Sequence, residues 1–323
     1  MSNASNDKPD PRAGWSHAEP AFHAGERALQ ARYGLAERLG EVGRRVVREG
    51  MPDQHREFFE EQPFMVVGSL DAALRPWASL LVGEPGFVHT PDATTLDIRA
   101  EPRAGDPLAD QLELGAKLGM LGIQFETRRR NRVNGHVLAH EIGIGFRLEV
   151  EQSFGNCPKY IHRRRAEFRA RSDAGPTSHE GARLSAQALE LVRRADTFFI
   201  ASASFDEPGS RDPARGVDVS HRGGPRGFVH VAEDQTGHWL KIPDYSGNYF
   251  FNTFGNLLLH PYAGLLFLDF EDGSVLQLTG STELVLEGPE VEAEPGAERM
   301  LHFHVREGRL HARSLDLSFG PER

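Results

Sequence analysis

The chain has 323 residues, a single cysteine, 39% hydrophobic residues and a formal net charge of -10. At roughly 100–200 residues per domain it has room for two domains, and one cysteine excludes an internal disulfide framework and any zinc site built on several cysteines. The acidic balance argues against a nucleic-acid binder, which needs a basic face. Its apolar runs fall short of the roughly 20 residues of a membrane span, and Met1 to Gly14 holds no apolar stretch of signal-peptide type, so a soluble cytoplasmic protein is expected.

Residues 1–20 are polar and are expected to form a mobile tail. From Ala21 to Gly50, Leu29, Tyr33, Leu35, Leu39, Val42, Val46 and Val47 recur at helical spacing, with a break near Gly34. Pro52 opens a further short helix over Asp53–Glu61, which Pro63 stops, so residues 21–62 are predicted to be helical. Phe64 to Ser69 is predicted to be a strand that turns at Asp71-Ala72-Ala73.

An internal repeat then organises the chain. The strand from Phe64 to Asp71 is echoed from Phe198 to Asp206. Pro76–His89 aligns without a gap with Val217–His230, so that Ser79 matches Ser220 and both blocks end in Gly-Phe-Val-His. A third block matches Gly119, Leu121, Phe125, Glu126 and Gly135 to Gly264, Leu266, Phe270, Glu271 and Gly280. Three blocks in one order imply two copies of a β-rich domain, over 63–171 and 182–323. The polar segment 172–181 joins them, and an amphipathic helix over Ala182–Arg194 leads into the second copy. Alternation at Leu301–Val305 predicts closing strands near the end.

The copies differ in chemistry. The second carries Asp218, Ser220, His221, Arg222, Gly223 and Gly224, then Lys241, Asp244, Tyr245, Ser246, Asn248, Asn252 and Asn256. The first has Leu80, Leu81, Val82 and a Pro- and Asp-containing stretch from Arg99 to Asp110 instead. Hydroxyl, guanidinium and backbone N–H donors together suit a phosphate, and amides spaced by four share one helical face; the alternative is that these residues only cap and shape loops. The basic runs Arg128–Arg132 and Arg163–Arg165 read either as solvated faces or as sites for a small anion. Cys157 reads either as a thiol activated by Lys159 or as a small buried apolar residue. His302 and His304 share a strand face, without the spacing of a zinc protease site.

Asp218–Pro225, Ile242–Asn248 and Asn252–Asn256, with Ser153–Ile161 in the first copy, resemble the pyridoxamine 5′-phosphate oxidase-like family over about residues 50 to 285. The resemblance implies a mainly β fold with flanking helices, two tandem split β-barrels of the FMN-binding type, and FMN as cofactor. It implies binding by Ser220, Arg222, Lys241, Ser246 and Asn248, with Ser220, Arg222 and Lys241 on the phosphate; the polar set itself adds His221, Asp244, Asn252, Asn256 and Lys159 as candidate cofactor contacts. Ser246-Gly247-Asn248 departs from the Ser-Arg-Lys cluster of the true oxidases, which counts against vitamin B6 oxidation. The function implied is FMN-dependent redox chemistry on a small organic molecule, with NAD(P)H or a redox protein as electron source, in a homodimer. A flavin or haem carrier without turnover is the alternative. No residue is assigned as a proton donor; His221 and Tyr245 are the ones within reach.

Overall fold

A computed structural model of the chain describes residues 13–171, 174–205 and 212–320. Helices α1 (Ala24–Arg32), α2 (Ala36–Val46) and α3 (Asp53–Glu60) come first. The break expected near Gly34 separates α1 from α2, and α1 starts at a capping box in which His23 and Glu26 each accept from the other's backbone N–H. The first copy then supplies β1 (Phe64–Leu70), β2 (Pro76–Val82), β3 (Val88–Asp92), β4 (Thr95–Ile98), β5 (Lys117–Gln124), β6 (Arg129–Glu141) and β7 (Gly145–Gly155). Short strands β8 (Arg165–Phe168) and β9 (Thr177–Glu180) and helix α4 (Ala186–Arg194) lead to the second copy. That copy has β10 (Thr197–Ala203), β11 (Val217–Gly223), β12 (His230–Asp234), β13 (Gly237–Tyr245), α5 (Asn252–Leu259), β14 (Tyr262–Leu268), β15 (Val275–Val285), α6 (Pro289–Ala293) and β16 (Ala297–His311). Strand β17 (Leu317–Gly320) pairs with β8, and β9 pairs with β16.

The duplication is written in the topology. The first sheet runs β2-β1-β5-β6-β7-β4-β3 and the second β11-β10-β14-β15-β16-β13-β12, the same order with the same antiparallel connections. Each sheet is a split β-barrel. The bulges also coincide: pairing slips between Asn134 and Gly135 in β6 and between Thr279 and Gly280 in β15, which are matched positions. The second and third sequence blocks agree with this register. The first block is off by one: Val67 pairs with Ser79 and Ile200 with Ser220, so Phe64 corresponds to Thr197, not to Phe198. A run buried on both faces has no alternation to fix its register. Asp206, the end of that echo, lies outside the described residues.

Each barrel encloses its own apolar core, and a third core lies between them. It joins Phe64, Val66, Leu121 and Phe125 of the first copy to Phe199, Val219 and Leu266 of the second, all essentially inaccessible. At about 1.5–3 kcal/mol for each fully buried large side chain, this shared core fixes the barrels as one body. Two matched glycines permit the contact. A Cβ on Gly119 would lie 2.4 Å from the Val217 carbonyl oxygen, and one on Gly264 would lie 2.5 Å from the Trp77 Cα, so each copy's β5-type strand meets the other's β2-type strand backbone to backbone.

The N-terminal segment is anchored at Trp15 and at Ala21–His23, while Ser16 and Ala18–Pro20 are exposed. Trp15 is buried, donates its backbone N–H to Arg44 O at 2.9 Å, and joins a cluster with Phe154 and Phe250; residues 1–12 of the expected tail lie outside the described residues. The expected joining segment 172–181 is built into the second sheet through β9, apart from residues 172 and 173, which are not described. Among the described residues no helix is long and apolar enough to cross a membrane.

Candidate functional site

A cleft of about 120 Å³ opens where the two copies meet. One wall is β11, whose alternation sends Val219 into the shared core and leaves Ser220 and Arg222 half-buried at the cleft. Facing it is β6 of the other copy. Arg130 and Arg132 lie two apart on that strand and so share a face. Arg132 is fully buried; it donates to Asp218 Oδ1 at 2.9 Å and to Ser220 Oγ. Asn134 and Asn256 also donate to Asp218, at 2.8 and 2.9 Å, so that carboxylate organises both copies' strands.

Arg130 has no carboxylate partner among the described residues. Its Nε donates to the Cys157 carbonyl oxygen at 2.7 Å, and Nη1 donates to His221 Nδ1 at 2.9 Å. Burial lowers its pKa to about 10, which leaves it charged at neutral pH. A guanidinium has only donors, so His221 Nδ1 accepts and the neutral ring carries its hydrogen on Nε2. Burial first, then the charge of Arg130, holds the imidazole well below its ordinary value, so His221 is neutral.

Asp244, at the end of β13, gathers two more cations. It accepts from Arg222, and from Arg299 Nε and Nη2 at 2.8 and 2.7 Å. Burial alone would lower the Arg299 pKa, but Asp244 and Tyr33 outweigh it and raise it above the ordinary guanidinium value. The rings of Tyr33, Tyr249, Phe251 and Phe254 surround Arg299, with centroids 5.0–5.9 Å away. Beyond Asp244 the chain rounds the cleft in a tight path. Tyr249 and Phe251 hold φ of 59° and 64°, and Tyr160 across the cleft holds 62°. Bulky residues in the left-handed region cost on the order of 1 kcal/mol each and gather where structure over-determines them. Asn248 closes an Asx turn on the Phe250 N–H at 3.1 Å.

Of the residues singled out from sequence, Ser220, His221, Arg222, Asp244, Asn248, Asn252 and Lys159 line this cleft, as do Tyr245 and Cys157. Three others stand elsewhere. Lys241 lies off the cleft on β13, where it pairs with Glu290 at 2.9 Å and sits 5.0 Å from the Trp239 ring. Ser246 stands beside the cleft, its Oγ 3.5 Å from Lys159 Nζ. Asn256 is fully buried and bonds Ser202 and Asp218. Asn252 donates to Glu26, whose carboxyl is raised well above its ordinary value by burial and then by Asp218. His302 is remote, bonded to Glu290 at 3.0 Å.

Arg130, Arg132 and Arg299 were not singled out. The first two sit in a run read as solvated or anion-binding; period two along a strand separates exposed Arg129 from its inward neighbours. No motif marks Arg299. The cleft thus collects Arg130, Arg132, Arg222, Arg299 and Lys159, with Asp244 the one carboxylate among its lining residues. Arg132 Nε, Arg299 Nη1 and His221 Nε2 are buried and bond nothing among the described residues. Buried donors left unmade are costly. These point to an anionic partner that also tolerates aromatic neighbours.

No family model matches the chain, and no curated protein matches it. Among solved structures, HupZ of Group A Streptococcus is similar at 14% identity over 38% of this chain and 90% of its own, with a TM-score of 0.28. HutZ, the heme storage protein from Vibrio cholerae, is similar at 16% identity over 44% and 99%, with a TM-score of 0.25. A pyridoxamine 5′-phosphate oxidase-related, FMN binding protein from Nostoc punctiforme is similar at 10% identity over 42% and 85%, with a TM-score of 0.27. By the topology of its two sheets the chain is a tandem split-barrel protein. One strand order is present twice.

Proposed function

We propose that the cleft binds FMN and that the protein is an FMN-dependent oxidoreductase acting on a small organic molecule, reduced by a nicotinamide cofactor or another flavoprotein. The observation that carries this reading is the convergence of five cations on one aromatic-lined cleft, with buried donors left unmade. Arg130, Arg222 and Lys159, with Ser220 Oγ, would hold the phosphate, since a phosphate accepts several charge-assisted bonds at once. Asn248 and Asn252 would serve the ribityl chain or ring edge, and Tyr160 and Tyr245, with centroids 5.4 Å apart, would pack on apolar parts of the ligand. Bound flavin would supply hydride or electron transfer; the protein's part is position and charge. His221, with its hydrogen on Nε2, is a donor toward whatever sits there. That tautomer disfavours haem ligation through His221, because iron would need the Nε2 lone pair. The homodimer expected from sequence would add to this cleft without completing it, since one chain supplies both walls.

An absorbance spectrum of the purified protein, with identification of any released chromophore and a titration with FMN, tests the reading. Flavin bands, or saturable FMN binding followed by bleaching with NADH or NADPH, support it. A Soret band in place of flavin would move the assignment to haem handling. A colourless protein that does not take up FMN would refute it.

A further inference from the structure

The duplicated topology generates a second cleft by pseudo-twofold symmetry, and the chain fills it with its own residues. The match is residue by residue. Ser220 receives Arg132 from the opposite copy's β6 and Thr253, at 3.2 Å, from its own copy's connection into β14. At the matched place Ser79 receives Gln277 from the opposite copy's β15, at 3.0 Å, and bonds Asp106 at 2.6 Å from its own copy's connection into β5. The registers make Gln277 the counterpart of Arg132, since Gly119 aligns with Gly264 in the two strand pairings.

The exchanges between the clefts all run one way. Arg132 becomes Gln277, Arg130 becomes Val275, Arg222 becomes Leu81 and His221 becomes Leu80. Thr253 is answered by Asp106, a carboxylate where an anion would need donors. Ser79 and Gln277 are inaccessible and Asp106 is nearly so. The Asp106 carboxylate is spoken for by Ser79, by the Leu108 N–H at 2.9 Å and by Gln277 at 3.1 Å. Leu108 beyond it is fully buried in the first barrel's core.

We infer that Asp106 and the turn that carries it are a built-in plug, and that the chain offers one anion-binding cleft where its symmetry would give two. The stoichiometric part rests on the FMN reading; the plug does not. Calorimetric titration of the full chain with FMN is expected to give one FMN per chain. Arg132→Gln, which copies the plugged side into the open one, should weaken FMN binding at least tenfold. Asp106→Asn, on the opposite side, should leave stoichiometry and affinity unchanged. Two FMN per chain, or loss of FMN binding in Asp106→Asn with folding intact, would overturn the inference. Hydrogen exchange of the ligand-free wild-type chain decides the plug independently, even if FMN does not bind. The Leu108 and Gln111 amides should be protected roughly a hundredfold or more, as for core segments; free-loop exchange there would overturn it.

Discussion

Replacing Asp244 by alanine tests how the cleft is held together. The Asp244 side chain is 7% exposed and that of Arg299 2%, and two bonds of 2.8 and 2.7 Å join them. Removing one partner of such a pair typically costs about 3–5 kcal/mol, because the other charge remains buried. Arg299 would keep Glu298, at 2.9 Å and partly exposed, together with its aromatic surround. The expected loss is therefore near the lower end, about 3 kcal/mol, out of a total stability of about 5–15 kcal/mol. Urea unfolding at neutral pH measures it, with an unchanged m-value showing that only stability has moved. The double variant Asp244→Ala, Arg299→Met removes the more buried of the two cations left behind, Arg222 being 25% exposed, and should recover most of the loss. A single variant that loses under about 1 kcal/mol, or a double variant that loses the sum of both singles, would refute the pairing as the element that holds the cleft.

Other outcomes follow from the same geometry. Arg130→Ala removes a cleft cation that has no carboxylate partner among the described residues and should raise the FMN dissociation constant at least tenfold, since a bond to a charged group contributes about 1.5–3 kcal/mol; isothermal calorimetry at fixed salt reads it. Gly119→Ala and Gly264→Ala, at two matched contacts, should each destabilise the chain by about 1–3 kcal/mol of overpacking and so lower Tm; equal stability to wild type in calorimetric melting would contradict the close approach. His55 and His311 are both held down to about 4, by burial first and then by Arg48 and Arg103 respectively. Unfolded imidazoles titrate near 6.5, so between that pH and about 4 the unfolded chain binds the extra protons. Stability is therefore full above pH 6.5 and falls as pH drops through this window, by up to about 3 kcal/mol per histidine. Urea midpoints between pH 7 and 4 should show the slope, and His311→Gln should reduce it.

The repeat was legible because particular residues recur for particular reasons. Gly119 and Gly264 must be glycine for the barrels to touch, and Ser79 and Ser220 both sit where strands of opposite copies meet. Buried strands were harder: in Phe64–Leu70 almost every residue is buried, so nothing in the pattern set the register and the echo slipped by one. Lys241 was placed on the ligand by resemblance alone, whereas on β13 it pairs with acidic Glu290 of α6. The two arginines of β6 were obscured by their neighbours, because a run of five polar residues reads as a wet face until period two is imposed on it. Trp15 shows the same limit at the terminus, since one aromatic in a polar stretch carries no periodicity, and its anchor on Arg44 is a tertiary contact.

The open cleft takes Arg130 and Arg132 from one copy and Ser220, Arg222 and Asp244 from the other. Were the barrels separate chains, such a cleft would exist only above the concentration at which they associate, and dilution would dissolve it by mass action. Tethering makes the encounter intramolecular, at an effective concentration in the millimolar range. The cleft is thereby independent of how much protein the cell makes. Neither half expressed alone carries both of its walls.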